Sequence, residues 1–238
     1  MLSTKIVCTI GPASDSPKRL AELAAAGMNV ARLNFSHGTH DSHKKIIEQI
    51  RKLNRSRQFP IALLLDTQGP EIRTGNEVIT LISRERVTVS SPPNEETEGT
   101  LFVNYSTLKL DLEPGNYISI DGGLVSLKVL GKNERGLDCE VIDGGVVKGH
   151  RHVNLPGTIV KLPGITETDK QDILFGVKQK VDVIALSFVR SSETIREVRD
   201  LLGEHAQHIK IIAKIENQEG VDNLVEIVQE ADGVMVAR

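Results

Sequence analysis

Three polar side chains, Arg32, Asn34 and Ser36, alternate with apolar ones near the end of an apolar segment. Because side chains two residues apart in a strand point to the same face, these three polar groups should lie together. An arginine in such a place can bind phosphate or carboxylate, since its guanidinium matches two oxygen atoms at once. An ion pair from Arg32 to a neighbouring strand explains the same spacing, so both interpretations stay open.

Hard oxygen atoms follow the next apolar run, where Asp66 and Thr67 come directly after three leucines. With Asn34 and Ser36 they offer carboxylate, amide and hydroxyl oxygens, which suit an alkali or alkaline-earth cation. Taken singly, each of these residues is more typical of a cap or a turn. Taken together, they predict a cation site.

A lysine and a glutamate, Lys214 and Glu216, stand two residues apart after the apolar run 211–213. A positioned lysine can stabilise charge on a transferring phosphoryl group or an enolate, and a glutamate can hold a divalent cation. The alternative is a structural Lys–Glu pair. A charged pair that emerges from so apolar a strand favours the functional interpretation.

Three histidines, His37, His40 and His43, recur every third residue. A metal-binding face could have this spacing. We interpret the run instead as the solvated start of a helix, which begins near residue 39.

The elements that must position these residues alternate between apolar strands and amphipathic helices. Strands are predicted over residues 5–10, 29–35, 60–66, 181–188, 210–215 and 233–237. Helices are predicted over residues 15–26, 39–57, 166–178, 191–202 and 218–229. Regular alternation of this kind predicts a parallel sheet with right-handed crossovers.

The alternation stops after Gly69 and Pro70. Residues 71–156 contain no long helical pattern, and short β-type pieces at 87–89, 116–120, 124–130 and 137–142 alternate with turn residues. That pattern is typical of a small β-barrel or sandwich. We therefore predict an inserted all-β domain at 71–156, after the third strand of a main domain formed by 1–70 and 157–238.

Six parallel strands fit either an open doubly wound sheet or an unfinished TIM-type (β/α)8 barrel. The polar candidates, together with Ser187, lie at or just beyond the C-terminal ends of four strands, and a barrel gathers those ends around one site. No glycine-rich phosphate-binding sequence follows the first strand. We therefore predict an α/β fold that contains an incomplete barrel of about six strands.

Composition argues against several other classes of protein. The net charge of -3 and the aromatic content of 3% are unlike those of a nucleic-acid binder. The apolar runs are far shorter than the ~20 residues that a bilayer requires, and the N-terminus has no signal-peptide pattern. We expect a cytoplasmic protein without a nucleic-acid or membrane partner.

Five local motifs resemble, in order, those of the pyruvate kinase family. They are TIGPAS at 9–14, MNVARLNFSHG at 28–38, LDTQGPEIR at 65–73, NLPG at 154–157 and KIENQEG at 214–220. Each motif alone could arise by chance, but five in sequence are specific.

The resemblance implies a catalytic barrel with a mobile β lid that transfers a phosphoryl group from phosphoenolpyruvate to ADP, giving pyruvate and ATP in glycolysis. It implies a need for Mg²⁺ (or Mn²⁺) and usually K⁺, and full-length members are usually homotetramers. By motif, Arg32 contacts the substrate phosphate, Lys214 binds substrate and stabilises the phosphoryl transition state, and Glu216 is a ligand of the divalent metal. The implied K⁺ ligands are Asn34, Ser36, Asp66 and Thr67. The residues implied at the nucleotide are Asn34, Phe35, Ser36, His37, Arg73 and Arg151.

The chain departs from the family pattern at three places. Gln68 stands where the family commonly has lysine. Residues 150–153 read HRHV where the family tends to have Lys-Gly-Val, so Arg151 only weakly replaces a lysine. The chain ends at Arg238, before a Gly-Asp-Leu-Gly motif whose aspartate is the second metal ligand.

Because that aspartate and the C-terminal part of the family are absent, we expect the isolated 238-residue polypeptide to have negligible kinase activity. Two alternatives stay open at this point. One is a Mg-dependent lyase or aldolase of the phosphoenolpyruvate/pyruvate barrel group, and the other is a non-catalytic, truncated remnant.

Overall fold

The structure, a computed structural model, describes residues 4–58, 60–92, 94, 99–158 and 160–237. The chain divides into two compact units. The barrel unit consists of Met1–Pro70 and Pro163–Arg238, and the β unit is Glu71–Leu162. The β unit extends beyond residue 156, where the sequence pattern placed its end, because Val160 and Leu162 pack against its apolar core.

The first half of the barrel unit alternates strands and helices. Its elements are β1 (Ile6–Ile10), α1 (Pro17–Ala25), β2 (Met28–Asn34), α2 (His40–Asn54) and β3 (Ala62–Asp66). Both helices begin at capped residues, because Ser16 accepts a hydrogen bond from the backbone of Arg19 and Thr39 forms a capping box with Ser42. These caps satisfy backbone N–H groups that have no partner inside the helix.

The β unit follows β3, and its described residues form eight short strands and one turn of α-helix. They are β4 (Ile79–Leu81), β5 (Arg86–Ser90), β6 (Thr100–Phe102), α3 (Leu108–Asp111), β7 (Tyr117–Ile120), β8 (Val125–Lys132), β9 (Leu137–Asp143), β10 (Gly145–Val147) and β11 (Val153–Asn154). One sheet has the order β11-β7-β8-β9-β5-β6, and β10 and β4 form a second, two-stranded sheet. The prediction of an all-β insertion after the third strand is confirmed. Strands β4, β6, β10 and β11 were not predicted, since two or three residues show no measurable alternation.

The second half of the barrel unit resumes the alternation. Its elements are α4 (Glu167–Lys178), β12 (Val183–Leu186), α5 (Ser192–Leu202), β13 (Lys210–Ile215), α6 (Gln218–Asp222), α7 (Leu224–Glu230) and β14 (Gly233–Val236). The single helix predicted over 218–229 is wrong, because it is interrupted at Asn223. The side-chain amide of Asn223 donates to the carbonyl of Arg190 at 2.9 Å. This contact joins the junction between α6 and α7 to a backbone carbonyl 33 residues away.

The strands of the barrel unit form one parallel sheet in the order β1-β2-β3-β12-β13-β14. Leu63, Leu64 and Leu65 of β3 are all buried, as expected for parallel strands covered on both faces. The predicted fold class is confirmed: the chain is an α/β protein with an incomplete TIM-type barrel. None of the helices in the described residues is long and apolar enough to cross a membrane.

A buried carboxylate accepts hydrogen bonds that hold the C-terminal end of the β unit in place. Asp111, whose side chain is 3% exposed, accepts hydrogen bonds from Tyr105 Oη and Thr107 Oγ1, both at 2.5 Å, and from Lys161 Nζ at 2.6 Å. The backbone N–H of Lys161 donates to Tyr105 Oη at 2.8 Å. The hydrogen bonds from Lys161, Thr107 and Tyr105 lower the pKa of Asp111 to about 2.

We expect Asp111→Asn to lower the free energy of unfolding by about 1–2 kcal/mol near neutral pH. Because the pKa is lower in the folded state than the ordinary value of 3.8, the carboxylate stabilises the fold above about pH 4. This contribution is lost as the pH falls toward about 2, so the free energies of unfolding of wild type and Asp111→Asn should become more alike. Urea unfolding at several pH values measures both free energies.

The matched control for this experiment is Asp138→Asn, which breaks an exposed pair with Arg86. It should change the free energy of unfolding by less than about 0.5 kcal/mol. If the free energies of unfolding of wild type and Asp111→Asn differed by the same amount down to about pH 2, the expectation would be contradicted.

Candidate active site

Polar side chains from four strand ends meet at one end of the barrel unit. Strand β2 ends at Asn34 and β3 at Asp66, while Ser187 and Glu216 directly follow β12 and β13. The register pairs Asp66 with Asn34 on one side and with Ala185 on the other. In a barrel of parallel strands this end carries the active site. The contacts described below join six residues into what we call the strand-end cluster: Arg32, Asp66, Thr67, Ser187, Lys214 and Glu216.

Arg32 forms an ion pair with a carboxylate on the neighbouring strand. Its Nε lies 2.7 Å from Oδ2 of Asp66, and its Nη2 contacts the same oxygen. On the other side, Nη1 of Arg32 donates to Oγ1 of Thr9 at 2.6 Å. The ion-pair interpretation of Arg32 is therefore confirmed. These contacts do not use all five N–H donors of the guanidinium, so the side chain can also bind an anion.

Lys214 is a buried lysine that lies between two carboxylates. Its side chain is 9% exposed, and its Nζ is 3.1 Å from Oδ1 of Asp66 and 3.5 Å from Oε1 of Glu216. The same ammonium donates to Oγ of Ser187 at 2.7 Å. A buried ammonium requires such partners, because it would otherwise lose its hydration without compensation. These contacts fix the position of the lysine at the strand ends.

Ser187 links β3, β12 and β13; the sequence placed it among the polar residues at the strand ends but assigned it no role. Its hydroxyl donates to the carbonyl of Thr67 at 2.6 Å and accepts from Lys214, and its backbone N–H donates to Oγ1 of Thr67 at 3.1 Å. The available signal was its position directly after an apolar strand, which it shares with Glu216. Its contacts could not be inferred, because they depend on the register between strands.

Glu216 is held by the backbone that follows β12. Its Oε2 accepts a hydrogen bond from the N–H of Phe188 at 2.9 Å. Phe188 has a φ of 56°, a conformation that bulky residues rarely adopt. Strain of this kind persists only where surrounding contacts enforce it, and it is common at functional sites. The carboxylate is thus oriented by one backbone donor and by Lys214.

The predicted oxygen ligands occupy two adjacent strand ends. Oδ1 of Asn34 accepts from the backbone N–H of Ser36 at 3.1 Å, which closes a turn directly after β2. The N–H of Phe35 donates to the carbonyl of Asp66 at 2.9 Å, so this turn lies against the end of β3. With Thr67, which follows Asp66, the set offers only hard oxygen donors, and its chemistry fits an alkali cation.

Two of the three histidines make structural contacts near the start of α2. Nε2 of His43 lies 2.9 Å from the carbonyl of His37, and its ring stacks on Phe35 with centroids 4.1 Å apart. Burial lowers the pKa of His43, so the neutral ring is favoured. His40 contacts Oδ1 of Asp172 at 2.6 Å. The predicted solvated helix start is wrong for His43, which is buried.

The contacts of these histidines do not support the alternative that they form a metal-binding face. In the part of the chain that the structure describes, no group of three or more His, Cys, Asp or Glu side chains is arranged to hold a metal ion.

Gly69 brings the segment after β3 close to β12. Its φ is 76°, and a Cβ atom there would lie 2.8 Å from Cβ of Ser187. Its backbone N–H donates to Oδ1 of Asp169, a fully buried carboxylate in the first turn of α4. Only glycine combines this φ with so close an approach. The half-buried Gln68 lies between Gly69 and the strand-end residue Thr67.

Arg73 and Arg151, the other residues predicted at a nucleotide, belong to the β unit. Nε of Arg73 donates to Oε2 of Glu71 at 2.7 Å, and its Nη1 donates to the carbonyl of His150 at 2.8 Å. Nη1 of Arg151 is 3.9 Å from Oδ1 of Asp121. Both guanidinium groups are thus paired with carboxylates inside the β unit.

Comparison with known proteins agrees with the fold and with the motifs that line the site. The family model described as "Pyruvate kinase, barrel domain" matches residues 1–238. The pyruvate kinases of Staphylococcus aureus strains USA300, NCTC 8325 / PS 47 and COL are each 48% identical to the chain over 243 aligned residues. The alignment covers 100% of this chain and 42% of each relative, so the chain spans less than half the length of these relatives. The chain belongs to the pyruvate kinase family.

Proposed function

We propose that the strand-end cluster transfers a phosphoryl group from phosphoenolpyruvate to ADP, giving pyruvate and ATP in glycolysis. The observation that carries this proposal is the buried ammonium of Lys214, which is held between Asp66 and Glu216. Catalysis of phosphoryl transfer consists almost entirely of positioning the reactants and neutralising their charge. A lysine whose position is fixed by two carboxylates and a serine suits that task.

The formal charge of the cluster supports a role for cations in substrate binding. Arg32 and Lys214 carry two positive charges, and Asp66 and Glu216 carry two negative charges. A cluster that is neutral by this count attracts a polyanion only weakly. One divalent and one monovalent cation would make it strongly positive, so we expect phosphoenolpyruvate and ADP to bind best together with Mg²⁺ (or Mn²⁺) and K⁺.

Each polar residue has a proposed role that agrees with its contacts. Arg32 binds the phosphate of phosphoenolpyruvate with donors that its pairs to Asp66 and Thr9 leave available. Lys214 contacts the same phosphoryl group and stabilises its charge during transfer. The residues proposed to bind the nucleotide are Asn34, Phe35, Ser36, His37, Arg73 and Arg151.

The residues proposed to hold cations fit them in chemistry. Magnesium is usually held by one or two carboxylates together with substrate phosphates, and Glu216 would supply one such carboxylate. Asn34, Ser36, Asp66 and Thr67 would hold K⁺ through oxygen atoms alone. When bound, the divalent cation would neutralise charge on the phosphoryl oxygens.

The bonds that change are those of a simple displacement. An oxygen of the terminal phosphate of ADP forms a bond to the phosphorus of phosphoenolpyruvate, and the bond from phosphorus to the enol oxygen breaks. The electron pair stays on that oxygen as an enolate, which Lys214 can stabilise. The enolate takes a proton on its methylene carbon and becomes pyruvate.

We further propose that the barrel unit is the catalytic domain, that the β unit is its lid, and that the protein is cytoplasmic. The family resemblance supports these points.

The experiment that tests the function is an assay of pyruvate formation with phosphoenolpyruvate, ADP, Mg²⁺ and K⁺. The protein is a chimera that joins residues 1–238 to the part of the Staphylococcus aureus relative that follows the aligned region. We expect turnover that requires ADP. Formation of pyruvate from an oxo-acid without ADP would show a lyase instead.

The 238-residue polypeptide alone is the second protein in this test. We expect it to bind phosphoenolpyruvate, measured by calorimetry, without measurable turnover, because Glu216 is its only proposed protein ligand of the divalent cation. Full turnover by this polypeptide would contradict that expectation.

A further inference from the structure

Four polar side chains of the β unit share one face of a short antiparallel ladder. Arg73 forms an antiparallel bridge with His152, which places Glu71 opposite Asn154. Side chains that are two residues apart in extended chain, or directly opposite across an antiparallel pair, point to the same face. Glu71, Arg73, His152 and Asn154 therefore form one group, which we call the Glu71–His152 group.

The carboxylate of Glu71 is the centre of this group. Its Oε1 is 2.9 Å from Nδ1 of His152, and its Oε2 accepts from Nε of Arg73 at 2.7 Å. The side chain of Glu71 is only 11% exposed. His152 and Arg73 thus share one carboxylate, and a change in the charge of His152 must alter how strongly Glu71 holds Arg73.

The partners of His152 favour the imidazolium form. Nδ1 faces an ionised carboxylate, and Nε2 lies 3.0 Å from Oδ1 of Asn154. Both partner atoms accept hydrogen bonds, so both ring nitrogens must donate, and only the protonated ring can do this. A neutral ring could keep both contacts only if Asn154 turned its amide to present a donor.

The electrostatic surroundings agree with this assignment. The hydrogen bond to Glu71 raises the pKa of His152, against the opposing effect of burial. Burial alone would raise the pKa of Glu71, but the hydrogen bond from His152 and the charge of Arg73 outweigh it, and the pKa is lowered. The backbone N–H of Asp121 donates to the carbonyl of His152, and the carboxylate of Asp121 lies 3.9 Å from Arg151, so these two charges offset each other.

Protonation of His152 changes the charge that the group presents. With the imidazolium, Glu71 is flanked by two cations and the group has a net positive charge. With a neutral ring the group is neutral and Glu71 compensates Arg73 alone. An anion bound to Arg73 is therefore attracted more strongly when His152 is protonated.

We propose that His152 is a positioning residue for nucleotide binding: as an imidazolium it holds Glu71, and through Glu71 it sets the orientation of Arg73 and the charge that Arg73 offers to phosphate. This inference rests on the proposed function, since it takes Arg73 as a phosphate ligand. It adds a residue that the family motifs do not contain, because glycine is usual in the family where this chain has His152.

The first test is an NMR titration of the His152 ring in the 238-residue chain, in wild type and in Glu71→Gln. We expect the wild-type pKa to lie above the ordinary value and to fall in Glu71→Gln, because the charged partner is lost. A titration of His152 that Glu71→Gln leaves unchanged would overturn the proposal.

The second test is the affinity for ADP between about pH 6 and about pH 9, measured by calorimetry. The phosphates of ADP titrate in part of this range, so the quantity compared at each pH is the affinity of wild type relative to His152→Gln. We expect wild type to bind about three- to tenfold more tightly at the acidic end and this advantage to disappear at the alkaline end. His152→Lys keeps the positive charge and should retain tight binding over the whole range.

The control is His205→Gln, since His205 also lies beside a glutamate, 3.9 Å from Glu204, but in the barrel unit. It should bind ADP as wild type does at every pH. An affinity ratio of wild type to His152→Gln that is independent of pH would overturn the proposal. Failure of wild type to bind ADP at any pH counts against the proposed function instead, and the ring titration then decides the link between His152 and Glu71.

Discussion

We expect replacement of Lys214 by methionine to lower kcat for pyruvate formation in the chimera by at least about 10³-fold and to change KM for phosphoenolpyruvate only a few-fold. The expected split between kcat and KM follows from where the ammonium acts. In the proposed function, Lys214 shares phosphate binding in the ground state with Arg32 and the cations. Charge that develops during transfer would depend on Lys214 itself, a donor that Asp66 and Ser187 already hold in place.

Two further variants separate this role from simple loss of a buried charge. Lys214→Arg keeps the charge, but its planar guanidinium cannot reproduce the contacts of a compact ammonium with Asp66, Ser187 and Glu216. It should therefore recover less than about a tenth of the activity. Lys210→Met removes a lysine from the same strand whose side chain is 64% exposed and pairs with Asp232. It should keep kcat within about twofold of wild type.

One outcome would contradict the proposed role of Lys214 in phosphoryl transfer. If Lys214→Met retained kcat and lost only affinity for phosphoenolpyruvate, the lysine would be a binding residue and not a stabiliser of transfer. A thermal unfolding curve of each variant shows whether lost activity reflects lost structure.

The fold could be predicted from the sequence because its signals are local. The apolar run at 61–65 identifies a strand that is buried on both faces, and the alternating pattern before Ser36 identifies a second strand. Helix caps such as Thr39 mark where helices begin. The break of the last helix at Asn223 was missed, since it depends on a contact with Arg190 that is distant in sequence. Three-residue strands were missed because they are too short to show a period.

The site could be predicted only as a set of residues, and its pairing could not. The spacing of Arg32, Asn34 and Ser36 fixes their common face, but not that Arg32 pairs with Asp66, which depends on the register of β2 and β3. Ser187 has no motif of its own, and its role appears only through its contacts with Thr67 and Lys214.

His43 shows a signal that was present in the sequence and not used. It lies three, four and seven residues before the buried Ile46, Ile47 and Ile50, so helical spacing places it on the apolar face of α2. Its burial could therefore have been predicted. Its hydrogen bond to the carbonyl of His37 could not, because it depends on the path of the turn after β2.

Asp66 should be a highly sensitive position for the stability of the barrel unit. Its side chain is 1% exposed and contacts Arg32, Lys214 and Ser187. Asp66→Asn leaves two cations near one another without the carboxylate that they share, and removal of one partner of a buried ion pair typically costs 3–5 kcal/mol. We therefore expect a loss of about 3–5 kcal/mol in the free energy of unfolding of the 238-residue chain, measured with urea, and no detectable turnover in the chimera.

A double-mutant cycle tests whether the loss arises from the shared carboxylate. In a Lys214→Met background one of the two cations is already absent, so Asp66→Asn should cost at least about 1 kcal/mol less than in wild type. Glu22→Gln, which breaks an exposed pair with Arg19 on α1, controls for loss of a carboxylate as such and should cost less than about 0.5 kcal/mol. Additive effects of Asp66→Asn and Lys214→Met would mean that the two side chains are not coupled. The position of Lys214 would then have to be set by Ser187 and Glu216 alone, which would remove the reason for placing Asp66 at the centre of the site.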